Sequence, residues 1–435
     1  MKKYFAGNFG VILVFVASLL PAIFWIFQES IGIRFSGTFS TFRSFGQLFG
    51  LVGISMFAVS LFLSARLKFF DKYFDGLSRA YDLHHFLGGL AFVFILFHPL
   101  FLALAYFSVT PSLALSFLFF PSTMAVNYGR IGFLIMFILL ILTFYYRTSI
   151  KYQNWKLSHK LLGVAFFFGG LHSFFITSDI STNMPLRWYI LILSAVGIAA
   201  YFYRTLLYPF SVRRYLYKVS AIKKIGDDVV EITMVPIGEK IKYQAGQFAF
   251  LSFQSNSVSK EPHPFSLTSR PEDDFIQIGV KSSGDYTKHL INLSIGDTAE
   301  VEGAFGIFSP EKSKNRNQIW IAGGIGITPF VSVARSLNWK NFSVDLYYSF
   351  KEDGDGVYLK ELEEISEKTD NLRIAPWISQ KMGRIDASKI KRVSDKIEEK
   401  VIFICGPSEM IIALKKDFIN NGVLKENIFS EEFNM

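Results

Sequence analysis

The sequence predicts a multi-domain membrane protein: a six-helix transmembrane bundle, then an antiparallel β-barrel, then an α/β lobe on a parallel sheet. Three observations predict it. Of 435 residues, 51% are hydrophobic and 19% charged. Apolar runs near the ~20 residues that span a bilayer fall at about 8–28, 45–65, 82–107, 129–146, 157–178 and 186–208. After Tyr208-Pro209 these runs stop; short alternating runs follow, and from Gln318 strands alternate with helices.

Loop charges orient the bundle. Arg66, Lys68, Lys72 and Arg79 follow the second span, Arg147, Lys151, Lys156 and Lys160 the fourth, and Arg204, Arg213 and Arg214 the sixth. The alternate loops carry Arg34, Arg43 and Arg187. Lys and Arg mark the cytoplasmic side, so a multi-pass cell-membrane protein with both termini cytoplasmic is expected, its surroundings the lipid bilayer. Met1-Lys2-Lys3 before an apolar run resembles the start of a signal peptide. No small-x-small cleavage site follows, and the run is read as a retained helix. The loop residues account for the net charge of +9. No basic, aromatic-interleaved motif appears, so no nucleic-acid partner is expected. The single cysteine, Cys405, excludes an intramolecular disulfide and a cysteine-built metal cluster.

The third span opens with YDLHHFLGGLAFVFILFHP, Tyr81–Pro99. His84 and His98, fourteen residues apart, return to within ~40° of one helix face and stand ~21 Å apart along the axis. Polar side chains at that depth are costly and usually functional. The fifth span carries His159 and His172, thirteen residues apart. The loop charges set His84 and His159 near the cytoplasmic face and His98 and His172 near the outer one. That level pairing suits two stacked bis-histidine haems, whose iron keeps no open position; the alternative is a set of satisfied core histidines. In an ideal helix His172 is rotated by ~140° from His159. Either a tightened 3₁₀ turn, permitted by Gly163, Gly169 and Gly170, restores the register, or different rotamers reach the haems. His85 points off the shared face and is read as a neighbour of the haem or its propionates. Phe166 and Phe167 lie between the two levels.

In the second half, YKVSAI, VVEITMV, GQFAFLSF and FIQIGVK predict a small barrel over about 215–310. IWIAG, VDLYYSF and VIFICG, each followed by a helix, predict an open parallel sheet of nucleotide-binding type. The expected domains are 1–210, 211–312 and 313–435. Three motifs sit where such lobes need them. His263-Pro264-Phe265-Ser266-Leu267-Thr268-Ser269 sets a donor, an aromatic suited to an isoalloxazine, and hydroxyls on one strand. Lys281, Gly284 and Thr287 end a strand and open a helix, an anion site suited to the flavin pyrophosphate. Gly323, Gly324, Gly326, Thr328 and Pro329 let backbone approach a phosphate at a helix start. Cys405-Gly406-Pro407 ends a later strand. Singly each is a turn; in this order the set is specific.

With these residues in view, the chain resembles the ferric reductase and NADPH oxidase superfamily over almost its whole length. The histidine spacings match the family's pattern, HPFSLTS resembles its flavin motif, GGIGITP its nicotinamide motif, and CGP the element beside the nicotinamide ring. Phe433 matches the terminal aromatic that covers the flavin. The resemblance implies a ferredoxin-reductase-like arrangement of the two soluble lobes, with FAD, two haem b and NADPH as cofactors and NADH as the alternative nucleotide. It implies an oxidoreductase, a superoxide-forming NAD(P)H oxidase or a ferric reductase, moving electrons from cytosolic NAD(P)H through FAD and haem to an extracytoplasmic acceptor. Cys405 and Phe433 are expected at the flavin–nicotinamide junction, and Arg34 or Arg43 as a positive group above the outer haem. Leu102 occupies a position where family oxidases often carry a second polar residue. Dioxygen is the first acceptor, a ferric chelate the second, and a relay to a partner protein the third, although no obligate protein partner is evident. A 2′-phosphate needs a cation, which Lys351, Arg373 or Arg384 would supply.

Overall fold

Each apolar run of the first half becomes helix in the computed structural model, which describes residues 2–67, 69–74, 76–145, 152–255 and 257–432. Lys68, Arg147, Lys151 and Phe433 lie outside the described residues. The chain divides into two units, residues 1–211 and 212–435.

The first unit contains α1 (Lys2–Gln28), α2 (Thr38–Leu63), α3 (Leu77–Phe107), α4 (Pro111–Phe119), α5 (Met124–Tyr145), α6 (Tyr152–Lys160), α7 (Leu162–Phe175) and α8 (Met184–Phe202). Among the described residues five helices are long and apolar enough to cross a membrane: Phe9–Gln28, Thr38–Leu63, Leu77–Phe107, Met124–Thr143 and Met184–Ser211. The continuous span expected over 157–178 is instead two pieces, α6 and α7, broken at Leu161. There Leu161 N donates to the Ser158 carbonyl (3.0 Å) and Val164 N to the Leu161 carbonyl (2.9 Å), the i→i+3 pattern of a tightened turn. The most apolar stretch of α2 is 72% buried, against 17–28% for the other four, so α2 is the core of the bundle and the others turn an apolar face outward. Small residues let α3 close on it: a Cβ at Gly53 would stand 2.8 Å from the Ile95 side chain. The short α4, unforeseen in the sequence, is capped by Thr110 with Pro111 in its first turn. Arg130 donates to the Phe117 and Phe120 carbonyls at its other end.

The second unit opens with a six-stranded sheet in the order β4-β3-β6-β1-β2-β5. Its strands are β1 (Arg214–Lys224), β2 (Val229–Pro236), β3 (Phe248–Gln254), β4 (His263–Ser266), β5 (Ile276–Lys281) and β6 (Thr298–Phe305). Every paired strand runs antiparallel, and a bridge between Leu267 and Ile278 links the two ends of the order. FAFLSF in β3 is buried throughout, which is why it reads as a solid apolar run. The second sheet is parallel, in the order β11-β10-β7-β8-β9, with β7 (Asn317–Gly323), β8 (Ser343–Phe350), β9 (Leu372–Ile378), β10 (Val401–Gly406) and β11 (Ile428–Glu432). Helices α9 (Asp285–His289), α10 (Thr328–Ser336), α11 (Leu359–Ser366) and α12 (Ser408–Asn420) complete the site-bearing elements. Strand order reverses at β7, so a crevice opens beyond the ends of β7 and β10, where such sheets bind ligands.

Candidate redox sites

The four predicted histidines meet in two pairs. The rings of His84 and His159 are 6.1 Å apart, centre to centre, and those of His98 and His172 also 6.1 Å. A metal with a nitrogen ~2 Å away on each side puts two imidazole centres ~6 Å apart, so each pair fits a bis-histidine iron. Three of the four rings are oriented by backbone. His84 Nδ1–H donates to the Ser60 carbonyl (2.8 Å), and the Ser60 hydroxyl donates back to the His84 carbonyl (3.1 Å). His98 Nδ1 donates to the Gly46 carbonyl (2.7 Å) and His172 Nδ1 to the Ala125 carbonyl (2.8 Å). A carbonyl only accepts, so these rings carry their proton on Nδ1 and keep the Nε2 lone pair for a metal. The buried Nδ1 of His159 has no hydrogen-bond partner among the described residues; its ring instead stacks on Trp155 (5.2 Å, 25°). His85 is exposed, its ring 5.5 Å from that of His84.

Arg34 is 2% exposed and held by Asp179 (3.0 Å), the Trp25 carbonyl (2.8 Å) and the Trp25 ring (3.9 Å). Gln47 reaches the other oxygen of Asp179 (3.1 Å). The charge of Arg34 is therefore balanced, whereas Arg43 is exposed. Phe166 is buried edge-on to Phe57 (5.0 Å), while Phe167 is 43% exposed.

In the second unit the two flavin motifs come together through Tyr286, whose ring stacks on His263 at 3.8 Å and 22°. Burial pushes the Tyr286 hydroxyl above its ordinary pKa. Phe265 packs in the core of the first sheet with Leu251, Leu267 and Ile278, on one face of β4. The other face carries Pro264 and Ser266. The Ser266 Oγ is buried with no hydrogen-bond partner among the described residues, a vacant polar atom that fits a flavin ring heteroatom. The expected anion site is partly self-satisfied: the Ser283 and Gly284 amides donate to Thr287 Oγ1 (3.1 and 2.9 Å), and Lys281 lies 3.3 Å from Asp228.

The glycine turn after β7 packs on the turn after β10. A Cβ at Gly326 would stand 2.4 Å from the Cys405 carbonyl, and one at Gly323 within 3.0 Å of Met410 and Pro407. Gly324 has φ +54, which glycine adopts without a Cβ penalty. Gly406 is just as tightly placed, against Met410 and Gly323. Pro329 sits in the first turn of α10, and the Thr328 hydroxyl donates to the Ile325 carbonyl (2.9 Å). Cys405 is fully buried, and burial pushes its thiol well above the usual 9.0.

Two features escaped the sequence. Glu431, 7% exposed, lies directly across from Cys405 in the β10–β11 pairing. Arg335 on α10 forms a two-pronged pair with Glu361 (2.6 and 2.8 Å) and donates to the Thr268 carbonyl and to Gln277 (both 2.9 Å). Ser332 adds a bond to the Ser269 carbonyl (2.7 Å). The helix behind the glycine turn is thereby clasped to the strand end behind the flavin motif. Of the cations considered for a 2′-phosphate, Arg373 is committed to Asp345 (2.8 Å). Lys351 directly follows β8, its side chain 72% exposed and 3.3 Å from Glu352.

Residues 49–170 match the family described as the ferric reductase like transmembrane component, 214–328 the FAD-binding domain, and 320–416 the oxidoreductase NAD-binding domain. NADPH oxidase 1 of Mus musculus is 34% identical over 118 residues, 26% of this chain and 20% of that protein. Together these matches support the NADPH oxidase/ferric reductase superfamily. The chain is a membrane protein carrying the FAD-binding and NAD-binding domains of an NAD(P)H oxidoreductase. It is also similar to the ferredoxin reductase component of 3-ketosteroid-9-alpha-monooxygenase from Rhodococcus rhodochrous, 27% identical over 235 residues, 52% of this chain and 67% of that one. A flavohemoglobin from Malassezia yamatoensis, solved with bound FAD and heme, shares the fold at a TM-score of 0.50 and 18% identity, over 76% of this chain and 92% of that chain.

Proposed function

We propose that the protein carries electrons across the membrane from cytosolic NAD(P)H, through FAD and two b-type haems, to dioxygen outside, giving superoxide. The observation that supports it best is the pairing of histidines at two levels, each with a 6.1 Å ring separation, in a chain that also has FAD-binding and NAD-binding domains. FAD along Pro264–Thr268 and Lys281–Thr287 would take up hydride and give up single electrons, and haem between His84 and His159 and between His98 and His172 would pass them on. The chain's own part is to hold and orient. Gly323–Pro329 and Cys405–Pro407 seat the nucleotide, Lys351 meets a 2′-phosphate so that NADPH is preferred over NADH, and the backbone carbonyls set the imidazole tautomers. One NAD(P)H supplies two electrons, so two dioxygen molecules become two superoxide ions and one proton is released.

In this reading α6 and α7 together make the fifth of six spans, the first sheet of the second unit closes as a barrel, and the domains are 1–210, 211–312 and 313–435. Both termini are cytoplasmic. Reduction of a ferric chelate is the second reading, favoured by the pairing of Arg34 with Asp179, which leaves no free charge on that guanidinium to steady superoxide. Turnover of the detergent-purified chain loaded with FAD and haem decides between them. Cytochrome c reduction abolished by superoxide dismutase supports dioxygen. Undiminished anaerobic reduction of a ferric chelate, without superoxide in air, overturns it in favour of iron.

A further inference from the structure

The membrane unit carries one local arrangement twice. On α2, the Gly46 carbonyl accepts from His98 Nδ1 (2.7 Å), and one turn further on a Cβ at Gly50 would stand 2.6 Å from that same nitrogen. On α5, the Ala125 carbonyl accepts from His172 Nδ1 (2.8 Å), and one turn further on a Cβ at Gly129 would stand 2.9 Å from it. The likeness continues three residues along each helix. A Cβ at Gly53 would meet the backbone nitrogen of Ile95 and the Cβ of Phe94, both at 3.2 Å; at Gly132 it would meet the backbone nitrogen of Gly169 and the Cβ of Phe168, both at 3.2 Å. In both copies, then, Gly-x-x-Gly of one helix packs against Phe-x-x-x-His of the next. Real Cβ atoms essentially never come within 3.0 Å of such neighbours, and an imidazole is a rigid ring that must turn as a whole.

We propose that Gly50 and Gly129 are positioning residues for His98 and His172, each leaving the volume that an imidazole needs in order to reach the carbonyl one turn earlier. The inference rests on reading these histidines as haem ligands. With Nδ1–H tied to the helix, Nε2 is presented on the far edge of the ring, and the ring plane is fixed by a bond that a side chain at Gly50 or Gly129 would break. The device belongs to the outer level. At the inner level His84 is held by Ser60, and His159 Nδ1 has no hydrogen-bond partner among the described residues, beside the break at Leu161. The duplication thus holds at one level and lapses where the helix is interrupted.

The full-length protein with haem and FAD tests this in Gly50→Ala and Gly129→Ala. Gly53→Ala, whose Cβ meets Ile95 and Phe94 rather than an imidazole, controls for helix packing, and Gly89→Ala, with nothing within 4 Å of its Cβ, controls for the substitution itself. The readouts are haem content relative to FAD and the low-spin ferric resonances of the oxidised protein. The first two variants are expected to shift or lose one resonance, with haem content falling by about half where the ligand is displaced, while the other resonance and the FAD stay unchanged. Gly53→Ala is expected to lower the melting temperature and keep both resonances. Unaltered resonances and haem content in Gly50→Ala and Gly129→Ala overturn the inference, as does an equal perturbation by Gly53→Ala. If Gly50→Ala does not accumulate, it is combined with His98→Ala. Accumulation equal to that of His98→Ala alone supports a clash with the ring, and a lower level overturns it. A parent protein with no bis-imidazole haem signal at all overturns the ligand reading beneath.

Discussion

At the scale of single residues, burial decides what each reactive group can do. Cys405 lies in β10, inside the parallel sheet and opposite Glu431, fully buried. Its thiol keeps a proton in the folded chain at pH values where the unfolded chain has lost one. The folded state binds the extra proton, so this group lowers stability as pH rises above 9.0 and is silent below it. A buried neutral thiol is also inert. Below pH 9 the native protein is therefore expected to leave Cys405 unreacted with Ellman's reagent, and the chain unfolded in guanidinium to release one equivalent. Stoichiometric reaction of the native protein would contradict the burial.

At the scale of elements, Arg335 joins α10 to three other parts of its unit: Glu361 on α11, Gln277 on β5 and the Thr268 carbonyl beyond β4. Its side chain is 17% exposed and also lies 3.9 Å from Glu231, which is 12% exposed, so its removal leaves two carboxylates without their shared cation. Arg335→Ala is expected to destabilise the FAD-loaded protein by roughly 1–3 kcal/mol, seen as a lower melting temperature by flavin fluorescence. Arg335→Lys should recover only part, because an ammonium cannot make the forked pair; an unshifted melting curve for the alanine variant would mean that the clasp adds nothing to stability. This contact was illegible in the sequence because its partners are scattered over residues 231–361, and no local pattern connects them. What was legible was local or periodic. Hydropathy marked the long helices, and the thirteen-residue histidine spacing called for the irregularity now found at Leu161. The short α4 escaped because nine residues are too few to register as a span.

At the scale of the whole molecule, the two units use one chain in opposite ways. The first keeps an outward apolar surface, with Phe27, Phe119 and Phe210 at least 75% exposed, which only a lipid surrounding makes favourable. The second buries its apolar residues in two sheet cores. The cytoplasmic side proposed for the second unit rests on the loop cations, and the chain's composition makes that easy to test. Since Cys405 is the single cysteine and is shielded, a cysteine introduced at an exposed serine is the only one open to reagent. Ser36 and Ser122 are exposed in connections assigned to the outer side, and Ser211 is exposed at the end of the first unit. Intact cells treated with a membrane-impermeant maleimide are expected to label Ser36→Cys and Ser122→Cys but not Ser211→Cys; inverted vesicles should give the reverse. Labelling of Ser211→Cys in intact cells would put the nucleotide-binding unit outside, away from cytosolic NAD(P)H. The direction of electron flow proposed above would then fail, even with every histidine pair intact.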